Sequence, residues 1–307
     1  PFQWWIANIF SSGLRFALPF FFLLSGALNL NNNYTTFTFY KKRFLRVFIP
    51  FLFWGILFST AFFTYYLIDN RPVSIFLLLK DFVFYQGVLR AQQYHLWFVY
   101  VLIGIYLLTP FIKIFTKNLN RNKIFIFGII WISVLILNTL NIDNVFLFNL
   151  LRFAGYTGYY IAGYILIKTD KEIRWKAPLI AVIILTVIFM AITTYIFTKS
   201  DGVLNEYFCQ TASITVFLSS FWLYRLLSYK KFDNKIFVKI RDEINRYGLG
   251  IYIIHASVLS LIEMTGIDWN FIHPLIGIPV TSIICIFVSY LIIRTMHKIS
   301  WLKYVAG

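Results

Sequence analysis

Charge is scarce in this 307-residue chain. Asp, Glu, Lys and Arg make up 13% of it, against about a quarter in a soluble globule. With 60% apolar residues and a mean hydropathy of +0.74, that scarcity excludes an ordinary charged-surface soluble domain. Carboxylates are the rarer sign, 12 Asp and Glu against 28 Lys and Arg. Few of them fall inside apolar stretches, which argues against a proton-coupled or sodium-coupled transporter, since such proteins need intramembrane carboxylates. Cysteine is nearly absent. Cys209 and Cys285 sit far apart in apolar stretches, offer no metal-ligand spacing and read as buried free thiols. The chain has no Walker loop, no G-x-S-x-G, no H-E-x-x-H and no C-x-x-C, so the soluble-enzyme signatures are missing. It also lacks internal repeats and any polar stretch long enough to fold as a separate domain. No metal and no permanently bound cofactor is expected.

What is present is apolar length. A bilayer span takes about 20 mostly apolar residues. Nine stretches qualify, at roughly 12–30, 45–68, 95–115, 123–142, 149–168, 177–198, 207–228, 245–265 and 272–296. Residues 74–89 carry Lys80 and Asp81 at their centre and read as a short interfacial helix. Open sheet would leave unpaired amides in lipid. The expected fold is therefore all-α: a polytopic transmembrane bundle, one membrane domain over residues 1–307. Aromatics reach 21%, with 35 Phe, which suits lipid-facing helices and interfacial belts.

The net charge of +16 raises the question of nucleic acid, but the cations are divided among loops by apolar spans, and no basic face results. Their distribution alternates. Lys41, Lys42, Arg43 and Arg46 lie in one segment, and Lys113, Lys117, Arg121 and Lys123 in the next but one. The segments at 168–176 and 225–246 and the tail from Arg294 are basic too. The opposite side holds only Arg15, Arg71, Lys80, Arg90, Arg152 and Lys199. Cations collect on the cytoplasmic side of membrane proteins, so the C-terminus is expected in the cytoplasm and residue 1 outside. An outside start with an odd number of spans implies one further helix ahead of Pro1, ten in the intact protein. Residues 1–11 show neither the basic region nor the cleavage pattern of a signal peptide.

Polar groups at membrane depth are costly and often functional. His255, in YGLGIYIIHASVL, lies about ten residues into its span. Such an imidazole either packs against a neighbouring helix or serves as general base or substrate ligand. His95 opens the third span beside Tyr94, Trp97 and Tyr100; the aromatics fit an interfacial belt, and the histidine is placed to line an acceptor pocket. Arg15 sits near the outer end of the first span, where it can snorkel, and Pro19 is expected to kink that helix. Glu263 either snorkels or points into a cavity. His273 and His297 lie near helix ends, where water satisfies them.

Four stretches share a further property. FALPFFFLLSGALNL at 16–30, FYKKRFLRVFIPFLFW at 39–54, YHLWFVYVLIGIYLLTPFI at 94–112 and RYGLGIYIIHASVL at 246–259 resemble, in this order, the integral-membrane acyltransferases of the acyltransferase 3 type. The sugar and peptidoglycan O-acetyltransferases look most similar. The resemblance implies a bacterial inner-membrane enzyme that moves an acyl group, acetyl first among them, from cytoplasmic acyl-CoA to a hydroxyl of a cell-envelope polysaccharide. It places the R-x-x-R of that family on Arg43 and Arg46, which would hold the donor's phosphates, with Lys41 and Lys42 adding attraction. Residues i and i+3 share a face of a regular helix, and guanidiniums fork onto phosphate. His255 and His95 become the catalytic candidates. Arg15, Trp97, Tyr100, Tyr252 and Glu263 become candidates for the acceptor side. The resemblance also implies a principal catalytic histidine in a helix ahead of Pro1. A lipid-linked sugar flippase or exporter would show the same spans and basic loops, and stands as the alternative. The lipid bilayer, acyl-CoA and an envelope carbohydrate are the expected partners, without nucleic acid.

Overall fold

The computed structural model describes residues 2–68, 74–76, 94–140, 144–168, 177–228 and 233–307. The regular structure of the described residues is all helical, with no strand among them. In chain order the helices are α1 (Phe2–Leu14), α2 (Ala17–Leu30), α3 (Thr36–Arg43), α4 (Ile49–Ile68), α5 (Trp97–Lys117), α6 (Arg121–Thr139), α7 (Val145–Lys168), α8 (Ala177–Asp201), α9 (Ile214–Leu227), α10 (Lys235–Glu263) and α11 (Pro274–Met296). Most of the expected interfacial helix at 74–89, with Lys80 and Asp81, lies outside the described residues, as do Arg71, Arg90 and the cations of 169–176 and 229–232.

Among the described residues, six segments are long and apolar enough to cross a membrane: Phe2–Leu30, Thr36–Tyr65, Tyr94–Lys117, Arg121–Thr139, Pro178–Asp201 and Pro274–Met296. The other three expected stretches are helical but differ in character. α7 carries Arg152, Lys168 and a row of tyrosines. α9 has only 14 residues, about 21 Å at 1.5 Å per residue. α10 has 29 residues and starts ten residues ahead of the expected span, in a charged stretch from Lys235 to Arg246.

The first span breaks at Arg15–Phe16, between α1 and α2. Pro19 accounts for the position: it has no N–H for the Arg15 carbonyl four residues back, and its ring crowds that carbonyl. The expected interruption is present, one turn ahead of the proline.

The chain divides into two units, Pro1–Asn33 with Leu108–Lys231 and Tyr34–Leu107 with Phe232–Gly307. In the first, α2 packs along α7 at backbone distance. A Cβ added to Gly26 would overlap the carbonyl of Tyr160, and one added to Gly163 would overlap the carbonyl of Leu23. Small residues serve this purpose in membrane bundles, where lipid supplies no hydrophobic drive between helices. Beside this seam the Trp131 indole donates to the Gly155 carbonyl at 3.0 Å, and Tyr156, Tyr159 and Tyr160 are fully buried. A Gly163→Leu variant is expected to lose stability by about 1–3 kcal/mol or more through overpacking. A lowered unfolding midpoint in detergent checks this, and an unchanged midpoint would contradict the close approach.

In the second unit α10 packs against α11 and α4. The chain end closes it: Trp54 Nε1 donates to the Val305 carbonyl at 3.0 Å, and Ala306 is fully buried with its carbonyl where a Cβ on Gly250 would lie. Helix starts are capped as their sequences indicate. Asn120 Oδ1 accepts from Lys123 N at 2.9 Å, and Asn234 Oδ1 from Ile236 N at 2.9 Å, satisfying amides that a helix start leaves free. Both cysteines are buried free thiols.

Candidate active site

His95 and His255 are 160 residues apart in sequence, and the second unit brings them together. Their ring centroids lie 4.7 Å apart in an edge-on arrangement. His95 stands in the 3-10 turn Tyr94–Leu96 that opens α5, and is only 4% exposed. His255 lies on α10, eight residues before its end at Glu263, or about 12 Å along the axis at 1.5 Å per residue.

Hydrogen bonding fixes the tautomer that each neutral ring adopts. His95 Nε2 is 2.9 Å from the Ile253 carbonyl oxygen. A carbonyl only accepts, so Nε2 carries the hydrogen and donates it. The lone pair of the neutral ring is then on Nδ1, which is buried and has no hydrogen-bond partner among the described residues. His255 Nδ1 donates to the carbonyl of Tyr252, which leaves its lone pair on Nε2. Tyr252 completes the cluster. Its hydroxyl donates to the His95 carbonyl at 2.5 Å, and its ring packs at 5.0 Å from Phe98. Cys285 Sγ donates to the His255 carbonyl at 3.3 Å. In the neutral form each imidazole is oriented through one nitrogen and basic at the other. Such an orientation is what general-base chemistry on a hydroxyl requires.

The cationic segment is built differently from the expectation. Residues Phe44–Phe48 form a π-turn, closed by the Ile49 amide donating to the Phe44 carbonyl. Turns of this kind are rare and recur at functional sites. The wider turn removes the regular i, i+3 stripe that would have aligned Arg43 with Arg46. Arg43 turns toward two rings, its guanidinium carbon 5.1 Å from the Tyr106 centroid and 5.5 Å from that of Phe39. Arg46 donates to the Asn245 carbonyl on α10 and is otherwise exposed. The Lys42 ammonium lies 3.6 Å from the Tyr34 ring centroid. By hydrogen bond and charge it pulls the Tyr34 phenol below the usual tyrosine range. Lys41 is exposed. Three of the four cations are thus held in place by neighbours.

The remaining candidates scatter. Tyr100 packs edge-on to Phe51 at 4.8 Å, and Trp97 is half-buried next to the histidine turn. Glu263 is exposed at the end of α10. Arg15 belongs to the other unit, where it pairs with Glu206 and donates to Ser11 Oγ at 3.1 Å. Sequence reasoning missed Tyr34, Tyr106 and Asn245, the residues that hold the cations. Phe39 was legible, four residues before Arg43 on the same helix face. Among the described residues no group of three His, Cys, Asp or Glu is arranged to hold a metal ion.

A family model described as an acyltransferase domain, of the acyltransferase 3 type, matches residues 1–294. No curated protein and no solved structure matches the chain.

Proposed function

Since the chain belongs to this acyltransferase family and is a membrane acyltransferase, we propose that it carries an acyl group, acetyl in the first instance, from cytoplasmic acyl-CoA to a hydroxyl of a cell-envelope saccharide. One observation carries the reading. His95 is buried, its Nε2–H is anchored on the Ile253 carbonyl, and its Nδ1 has no hydrogen-bond partner among the described residues, beside a second imidazole.

The acceptor hydroxyl gives its proton to His95 Nδ1 as its oxygen attacks the thioester carbonyl carbon. The tetrahedral intermediate collapses, the carbon–sulfur bond breaks, and the leaving CoA sulfur takes the proton from the imidazolium. The Ile253 carbonyl keeps the ring oriented through the cycle by accepting from Nε2. His255 Nε2 accepts from a neighbouring acceptor hydroxyl and so orients it. Arg43 and Arg46 bind the donor's phosphates through charged hydrogen bonds, with Lys41 and Lys42 adding attraction. The alternation of basic loops puts these cations on the cytoplasmic side of a bacterial inner membrane, with the C-terminus on the same side.

The test is release of free CoA thiol from acetyl-CoA by the purified protein in lipid nanodiscs. Release that requires an added saccharide acceptor is the expected result. A protein that releases none with any saccharide acceptor, yet moves lipid-linked sugar across a bilayer, would contradict the proposal and favour the flippase reading.

A further inference from the structure

One phenol stands between the two histidines. Tyr252 precedes His255 by three residues on α10, so the two share a face of that helix, and their rings are 5.4 Å apart. The Tyr252 ring lies 5.6 Å from that of His95. The family resemblance put Tyr252 among the acceptor-side candidates. Its single hydroxyl hydrogen is committed within the protein, to the His95 carbonyl at 2.5 Å, so the phenol has none to offer an acceptor.

Two bonds run between the His95 turn and α10, in opposite directions. The His95 ring donates Nε2–H to the Ile253 carbonyl at 2.9 Å, and the Tyr252 hydroxyl donates to the backbone of residue 95. One tie holds the ring; the other holds the backbone that carries it. The second matters because of where His95 stands. It lies in the three-residue 3-10 turn Tyr94–Leu96, and hydrogen bonds within such turns are poorly aligned. His255 sits on a 29-residue helix whose own ladder fixes its backbone. The turn under His95 has no such ladder and leans on α10. If the backbone of residue 95 shifted, the ring would pivot about its Nε2 bond and carry Nδ1 away from the reacting atoms. A misplacement of about 1 Å can cost roughly 10²-fold in rate. Tyr252 also meets His255, but through a different group: its main-chain carbonyl accepts from His255 Nδ1. The hydroxyl serves one imidazole and the carbonyl the other, so the two services are chemically separable.

We propose that Tyr252 is a positioning residue for acyl transfer: by holding the carbonyl of residue 95, its hydroxyl sets the place of the His95 Nδ1 lone pair, and it takes no proton itself. This role rests on the acyl-transfer reading in making His95 the base. The consequence is a directed coupling. Loss of the hydroxyl costs rate only while the His95 imidazole is present, and still costs rate when His255 is replaced.

The experiment is a double-mutant cycle of Tyr252→Phe with His95→Gln, made in the full chain in nanodiscs. Phenylalanine keeps the ring that packs 5.0 Å from Phe98 and the carbonyl that orients His255, so the substitution deletes the one bond. Tyr252→Phe alone is expected to lower kcat for CoA release about tenfold to a hundredfold, with donor and acceptor KM little changed. In the His95→Gln protein the same substitution is expected to change the residual rate less than about twofold, and in His255→Gln to lower it again. Parental kcat in Tyr252→Phe, an equal loss with and without His95 (the mark of a merely structural role), or a raised acceptor KM at unchanged kcat would overturn the proposal. A second readout needs no turnover. Imidazole nitrogen NMR signals, assigned to His95 by their loss in His95→Gln, are expected to shift or broaden in Tyr252→Phe while those of His255 stay. Unmoved His95 signals would overturn the positioning role too. If the parent releases no CoA, the acyl-transfer reading fails by itself, and the nitrogen spectra still decide whether the phenol holds His95.

Discussion

A His95→Gln variant is expected to fold like the parent and to lose acyl transfer by roughly 10²–10⁴-fold, the usual contribution of a positioned general base. Glutamine can still offer an amide N–H to the Ile253 carbonyl, so the contact that seats the 3-10 turn before α5 survives. What it lacks is a basic nitrogen at the position of Nδ1. The Tyr252 hydroxyl bond is to the backbone carbonyl of residue 95 and is untouched by the change. The loss should therefore fall on kcat, with donor KM little altered. His255→Gln should cost less, because that ring orients the acceptor and takes no proton. Steady-state rates of CoA release, with the unfolding midpoint as control, check both. A His95→Gln protein that keeps more than a tenth of the parent rate would remove His95 from the chemistry.

The second large effect lies at the cationic segment. Arg43→Ala and Arg46→Ala are each expected to raise the acyl-CoA KM about tenfold to a hundredfold, since one hydrogen bond to a charged group is worth about 1.5–3 kcal/mol. Lysine should not restore Arg43. The guanidinium lies over the Tyr106 and Phe39 rings, and an ammonium reproduces neither the stacking nor the fork. Tyr106→Leu should mimic part of the Arg43→Ala defect, because it frees a side chain that the ring now holds. Raising the salt concentration should weaken donor binding in the parent and less so in the Arg43→Ala, Arg46→Ala double variant. If the double variant releases CoA with unchanged KM, the basic segment is a topological collar and nothing more.

The sequence disclosed the membrane class, the helical content and the location of the cationic segment, because apolar length and loop charge are local properties. The buried thiols were legible for the same reason. The pairing of His95 with His255 was not. Each histidine has an unremarkable context alone, one at a helix entrance and one within a span, and only tertiary packing sets their rings 4.7 Å apart. The arrangement of Arg43 and Arg46 was misread, since spacing of three implies a shared face only in a regular α-helix, and the π-turn at Phe44–Phe48 departs from it. The first span was legible in part: Pro19 leaves the Arg15 carbonyl without its helical donor, and the break falls there, at Arg15–Phe16. Arg15 there meets Glu206, a partner 191 residues away that no local pattern announces. Gly26 and Gly163 likewise look like ordinary helix glycines until each is seen under the other helix's backbone.

The most direct test of the central claim is to follow the acyl group itself. Isotopically labelled acetyl-CoA is given to the protein in sealed vesicles with a saccharide acceptor, and the acceptor is recovered and analysed by mass spectrometry. The account predicts label in ester linkage on an acceptor hydroxyl, formed in step with free CoA and lost in the His95→Gln protein. Label that stays on CoA, or CoA release without esterified acceptor, would contradict it.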